Sequence, residues 1–171
     1  MVSNGSPSSQ AAPGALEHVR ELLNTWLIPN DTRQPTDRFD TYAQRQQLGP
    51  RQAHQLRRLR DGLRAVVEQP EGADERLNEW IGALGVRVAV QHGRLGFVHG
   101  GGPATEFFAH VLEAIADDTW SRLKACPDCR WVFYDHTRNR SKRWCLMNAG
   151  GPEGRSCGTI AKVARYRAAR A

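Results

Sequence analysis

Four thiols define the chemistry open to this chain. Cys126, Cys129, Cys145 and Cys157 are the only cysteines among 171 residues, and all four lie in one window of 32. The order is Cys-x2-Cys, fifteen residues, Cys, eleven residues, Cys, close to the spacing of tetrathiolate metal sites. Cys126 and Cys129, with Pro127 and Asp128 between them, form a knuckle that can turn both sulfurs toward one ion. Cys145 and Cys157 must be brought back by intervening structure. Zinc accepts four thiolates without redox chemistry, and a closed shell leaves no open position for substrate or activated water. The expectation is therefore one structural Zn2+. Two disulfides, an iron–sulfur cluster and four unrelated buried thiols are the alternatives.

Nothing else in the chain points to catalysis. His18, His54, His92, His99 and His110 are dispersed without an HExxH pair, and no Ser or Cys nucleophile signature accompanies them. His136 is nearest the cysteines, but four thiolates already fill a shell, so it reads as an exposed turn residue. The chain is expected not to be an enzyme.

Charge is divided unevenly. From Cys126 onward there are ten basic and three acidic side chains, a net of +7, against −1 over the first 125 residues. The basic excess belongs to the cysteine-bearing module, which is the part suited to a polyanion. No run approaches 18 apolar residues, and MVSNGSPSSQAAPGA lacks the basic start and apolar centre of a secretory signal. A cytoplasmic protein with no membrane association is expected, in a reducing compartment that suits free thiolates.

The elements that must position the thiols follow from periodicity. Residues 1–14 are rich in Ser, Pro, Gly and Ala and read as a disordered tail. Leu16, Val19, Leu22, Leu23, Trp26 and Leu27 recur at helical spacing up to Pro29, and a polar loop, PNDTRQPTDR, leads to a shorter helix from about Phe39 to Leu48. Ala53, Leu56, Leu59, Leu63, Val66 and Val67 make a third helical stripe, with Arg57, Arg58, Arg60 and Arg64 on what reads as a solvated face. A fourth helix, about Asp74 to Leu84, has Asp74 as its N-cap candidate. VRVAVQHGRLGFV then alternates as a β-hairpin turning at His92-Gly93, and HGGGP, lacking a phosphate-loop continuation, reads as a loop. A long helix from Pro103 is expected to run to the cysteines. Beyond them, Trp131 to Tyr134 suits a strand, Lys142 to Cys145 a return strand, and GTIAKVARYRAARA a helix docking through Ile160, Val163 and Tyr166. The fold class is α+β: a mainly helical domain over 15–124 with one β-hairpin, then a small treble-clef-like zinc finger over 125–171.

CPDCRWVFYDHTRNRSKRWC, followed by Cys157-Gly158 and AKVARYRAAR, resembles the CGNR zinc finger of bacterial transcriptional regulators. LLNT, with Arg33 and Asp37 downstream, is similar to the ABATE domain that precedes that finger. The resemblance implies zinc at Cys126, Cys129, Cys145 and Cys157 and a DNA-binding role. The family tetrad carries Asn and Arg after Cys-Gly, where Thr159 and Ile160 stand here, and NAGGPEGRS lengthens the approach to Cys157.

The leading expectation is a regulator whose finger meets double-stranded DNA, and is nucleoid-associated to that extent. Arg138, Asn139, Arg140, Lys142 and Arg143 would act from the turn, and Lys162, Arg165, Arg167 and Arg170 from the last helix. The first domain would serve sensing or dimerisation, with a homodimer and a small-molecule effector as partners. Asn24, Thr25, Arg33 and Asp37 are its candidate ligand pocket. The competing structural reading has Asn24 and Thr25 capping the first helix and Arg33 pairing with Asp37. A zinc-stabilised protein-interaction adaptor and a thiol redox switch are the alternative functions.

Overall fold

The computed structural model describes residues 10–146, 154 and 156–169, and within them the chain is α+β: helices with three small antiparallel strand pairs. Helix α1 (Leu16–Leu23) buries Leu16, Val19, Leu22 and Leu23. The apolar repeat continues to Leu27, but the helix stops at Leu23. Thr25 Oγ1 donates to Leu22 O at 2.8 Å, and Trp26–Leu27 leave the helical path as strand β1, paired with β2 (Thr36–Asp37). Helix α2 (Phe39–Arg45) is also shorter than its apolar pattern. Helix α3 (Pro50–Glu68) opens on Pro50, and Gln52 Oε1 accepts from the Gly49 N–H at 3.1 Å.

Helix α4 (Ala73–Leu84) starts after Gly72, whose φ of 68° makes it the N-cap in place of the expected Asp74. It packs on α3. The contact is close at Gly62, where a Cβ would stand 2.4 Å from Trp80 Nε1. Strands β3 (Arg87–Gln91) and β4 (Arg94–Val98) form the expected hairpin, turning through His92 at φ 51° and Gly93 at φ 75°. Two consecutive left-handed residues are what a two-residue type I′ turn requires. HGGGP is a loop, and Pro103 begins α5 (Pro103–Ala116).

Helix α5 does not reach the cysteines. It ends at Ala116, and a 3-10 turn (Trp120–Arg122) feeds β5 (Leu123–Ala125). β5 pairs with β6 (Val132–Tyr134) across the Cys126/Cys129 knuckle. This hairpin replaces the expected one, in which Lys142–Cys145 would have paired with residues 131–134. The 142–145 segment is held instead by a buried carboxylate: Lys142 N donates to Asp135 Oδ2 at 2.9 Å, while Lys124 Nζ reaches the carbonyls of Arg140 and Lys142. Helix α6 (Cys157–Ala168) begins at the last cysteine, with Ser156 Oγ accepting from Thr159 N at 3.3 Å as its cap. Ile160 and Val163 are half-buried on it, whereas Tyr166 is exposed.

Leu123, Val132 and Tyr134 pack in the same apolar cluster as Leu22, Leu56, Phe108 and Val111. The first hairpin of the finger is thus a wall of the helical core. Gln10 to Gly14, expected within the disordered tail, are also seated. Tyr134 N donates to Gln10 O at 3.0 Å, and Ala12 is buried with its N–H on Glu17 Oε2 at 2.6 Å. Residues 1–9 of that tail lie outside the described residues.

The arginine face of α3 is not solvated throughout. Arg58 is exposed, but Arg60 and Arg64 are only 2% and 5% exposed. Arg60 makes a two-pronged pair with Asp37 at 2.7 and 2.9 Å and donates to Thr25 Oγ1 at 3.0 Å. Arg64 donates to the carbonyls of Leu23, Trp26 and Arg130 at 2.8, 3.0 and 3.0 Å and pairs with Glu68. These carbonyls are left over where α1 ends and the knuckle turns, so the Arg64 guanidinium satisfies backbone there, while Arg60 is held by side chains alone. Among the described residues no helix is long and apolar enough to cross a membrane.

Candidate metal centre

The β5–β6 hairpin presents Cys126 and Cys129, the chain returning from residue 142 supplies Cys145, and the first turn of α6 supplies Cys157. Within the knuckle Cys126 N donates to Trp131 O at 2.9 Å and Arg130 N to Cys126 O at 3.0 Å. Arg130, at φ 61°, makes the left-handed turn after Cys129 that brings Trp131 O back to the Cys126 N–H. All four sulfurs lie within 4.8 Å of one another and all four side chains are buried. Cys129 and Cys145 are 3.3 Å apart and Cys145 and Cys157 3.7 Å, with no disulfide among them. A zinc tetrahedron with Zn–S of about 2.3 Å has sulfurs about 3.8 Å apart. The donor set fits one structural zinc ion, and Phe133, Trp131 and Trp144 pack around it as a small apolar shell.

Electrostatics favour a cation here. Without one, thiols this close compete for protons: hydrogen bonds from Cys129, Cys145 and Cys157 pull Cys126 down, while those with Cys126 and Cys129 push Cys145 up. A dication ionises all four together. Cys157 has further help, because it is the first residue of α6 and its sulfur lies at the positive end of the helix dipole.

The site has neighbours that spacing did not reveal. Asn30 Nδ2 donates to Cys157 Sγ at 3.1 Å. Arg33 holds Asp128, inside the knuckle, at 3.1 and 2.9 Å. The Ile28 N–H donates to Cys129 O at 2.9 Å. All three come from the loop after β1, and a polar loop read alone gives no sign of what it faces.

Asp135 is fully buried beside the centre. Its carboxylate accepts from Lys124 Nζ at 2.7 Å, Thr137 N at 2.9 Å, Thr137 Oγ1 at 2.5 Å and Lys142 N at 2.9 Å. Burial alone would raise its pKa. The bonds from Lys124 and Thr137 overcome that and hold it well below the usual carboxylate range.

The basic side chains expected on DNA occupy different situations. Lys162, Arg165 and Arg167 are exposed along α6, and Arg170 lies outside the described residues. Arg138 is exposed in the turn, and Asn139 Oδ1 accepts from Ser141 Oγ at 2.8 Å. Arg140 pairs with Asp118 and donates to Ser121 Oγ at 2.8 Å. Lys142 lies over Phe133 and Arg143 over Trp144, at 5.6 and 6.0 Å from the ring centres. His136 is exposed, as expected, with Nε2 at 2.8 Å from Ala11 O.

Of the four residues assigned to a ligand pocket, Thr25 and Asp37 meet through Arg60, and Asn24 turns to Val132. Arg33 is elsewhere, on Asp128 rather than the expected Asp37. At the family tetrad's last two places, Thr159 closes the Ser156 cap and Ile160 is half-buried.

Comparison with known proteins bears on the finger alone. Residues 122–170 match the family described as CGNR zinc finger. No curated protein matches the chain.

Proposed function

We propose that this protein is a DNA-binding regulator whose zinc finger grips duplex phosphates, with the ABATE-like helical domain serving sensing or dimerisation. The observation that carries the reading is the exposed basic surface of α6. Lys162 and Arg165 are exposed on one side of the helix and Arg167 on another, and the helix, CGTIAKVARYRA, holds no acid. A zinc ion at its first residue would fix how that helix is set. Arg138 and Arg143 are further exposed basic side chains of the finger, while Arg140 is occupied by Asp118 and contributes less. Neutralised phosphates release counterions, which gives affinity without sequence preference.

Fluorescence anisotropy of the zinc-loaded protein with a random genomic duplex across a salt series tests this. Affinity should fall along a log–log line with a slope of several units, and Lys162→Ala, Arg165→Ala and Arg167→Ala should each flatten it by about 0.9. A flat, millimolar response rejects DNA binding. A second reading, an adaptor for another protein, draws on the β3–β4 hairpin, where Val88, Val90 and Leu95 are 65%, 72% and 69% exposed on one face.

A further inference from the structure

The loop between β1 and β2 spans the metal centre from its first ligands to its last. Asp128 lies between Cys126 and Cys129, and Arg33 grips it with both terminal nitrogens. Arg33 also donates to Asn30 Oδ1 at 3.2 Å. That bond decides which end of the Asn30 amide is oxygen, and so turns Nδ2 toward Cys157 Sγ at 3.1 Å. Asn30 is 7% exposed. The relay Asp128, Arg33, Asn30, Cys157 therefore ties the knuckle to the fourth thiolate through residues far away in sequence. Four thiolates on a dication leave a net negative cluster, and an amide N–H and a guanidinium are the groups that disperse such charge.

We propose that Asn30 and Arg33 are positioning residues of the zinc centre, so that the helical domain sets part of the finger's metal affinity. Asn30 orients the Cys157 sulfur and withdraws charge from it; Arg33 orients Asn30 and braces the knuckle. By linkage, whatever disturbs this loop loosens zinc, and losing zinc frees the loop. The inference stands whether or not the finger binds DNA.

The test uses the full-length protein. Elemental analysis of the wild type first checks for one zinc per chain, which tests the metal assignment separately. Competition with a chromogenic chelator then compares wild type with Asn30→Ala, Asn30→Asp and Arg33→Ala, and with Asp31→Ala as an exposed control on the same loop. Asn30→Ala should raise the zinc Kd about 10- to 100-fold. Asn30→Asp keeps the shape but sets a carboxylate against the thiolate, so it should weaken zinc at least as much. Arg33→Ala should fall between wild type and Asn30→Ala, and Asp31→Ala should match wild type. With Co2+ in place of zinc, the thiolate-to-metal charge-transfer bands should move to lower energy in both Asn30 variants, because a sulfur without its N–H donor gives up electrons more readily. Wild-type affinity and unmoved bands in the Asn30 variants would overturn the proposal. If neither Asn30 variant folds, Arg33→Ala decides: its guanidinium is half exposed, and an unchanged Kd and spectrum there reject the relay.

Discussion

The side chain of Asn24 pairs with the backbone of Val132 as a neighbouring strand would. Asn24 Nδ2 donates to Val132 O at 2.8 Å, and the Val132 N–H donates to Asn24 Oδ1 at 2.7 Å. One amide at the end of α1 thereby satisfies the open edge of β6, and it fixes the helical domain to the hairpin that carries the knuckle. The same carbonyl also accepts from Arg20 Nη1 at 3.3 Å.

Asn24→Ala should cost about 2 kcal/mol, chiefly because the buried Val132 N–H is left without an acceptor while its carbonyl keeps Arg20. Urea denaturation of the zinc-loaded protein measures it. A change below about 0.5 kcal/mol would mean that water or a neighbour replaces the amide.

Asp135→Asn should destabilise the protein by about 3 kcal/mol at pH 7, since Lys124 loses its buried partner. Against the upward pull of burial, the Lys124 and Thr137 hydrogen bonds hold the folded carboxyl below its ordinary value, so its contribution is complete above the unfolded pKa of about 3.9. It is lost as pH falls toward the folded pKa. The gap between wild type and Asp135→Asn, followed by urea midpoints, should therefore narrow on acidification below about pH 4. A gap that stays constant across that range would mean the charge of Asp135 is not what stabilises.

Removing zinc with a chelator, or Cys129→Ser, should lower the melting temperature of the whole chain by on the order of 10 °C or more. The transition should remain single, because Leu123, Val132 and Tyr134 belong to the helical core. Two separated transitions in calorimetry would instead make the finger an independent unit.

The cysteine spacing, the β3–β4 hairpin and most helices were legible because each is written locally, in a fixed gap or a period of 2 or 3.6. What was missed depends on partners distant in sequence. Trp26 and Leu27 fit the helical repeat of α1, yet they become a strand because the carbonyls at the helix end find Arg64 and because Thr36–Asp37 lies alongside. The strand pairing inside the finger went to Leu123–Ala125 rather than 142–145, a choice made by where Asp135 and Lys124 hold the returning chain. Arg60 and Arg64 did leave a trace. They stand one residue after Leu59 and Leu63, on the edge of the buried stripe, where a charge count treats them as solvent-facing but their position favours burial with a partner. Nothing local marked Asn30.

The placement of β5 and β6 has a consequence for synthesis. Asn24 waits for Val132 across 108 residues of chain, and the core around Leu22 and Phe108 lacks one wall until Leu123 to Tyr134 have been added. While the ribosome is still making the finger, the nascent helices expose the apolar surface that this hairpin later covers. The helical portion cannot close its core until that hairpin has emerged, so the interval before Tyr134 leaves the ribosome is when the nascent chain exposes this apolar surface.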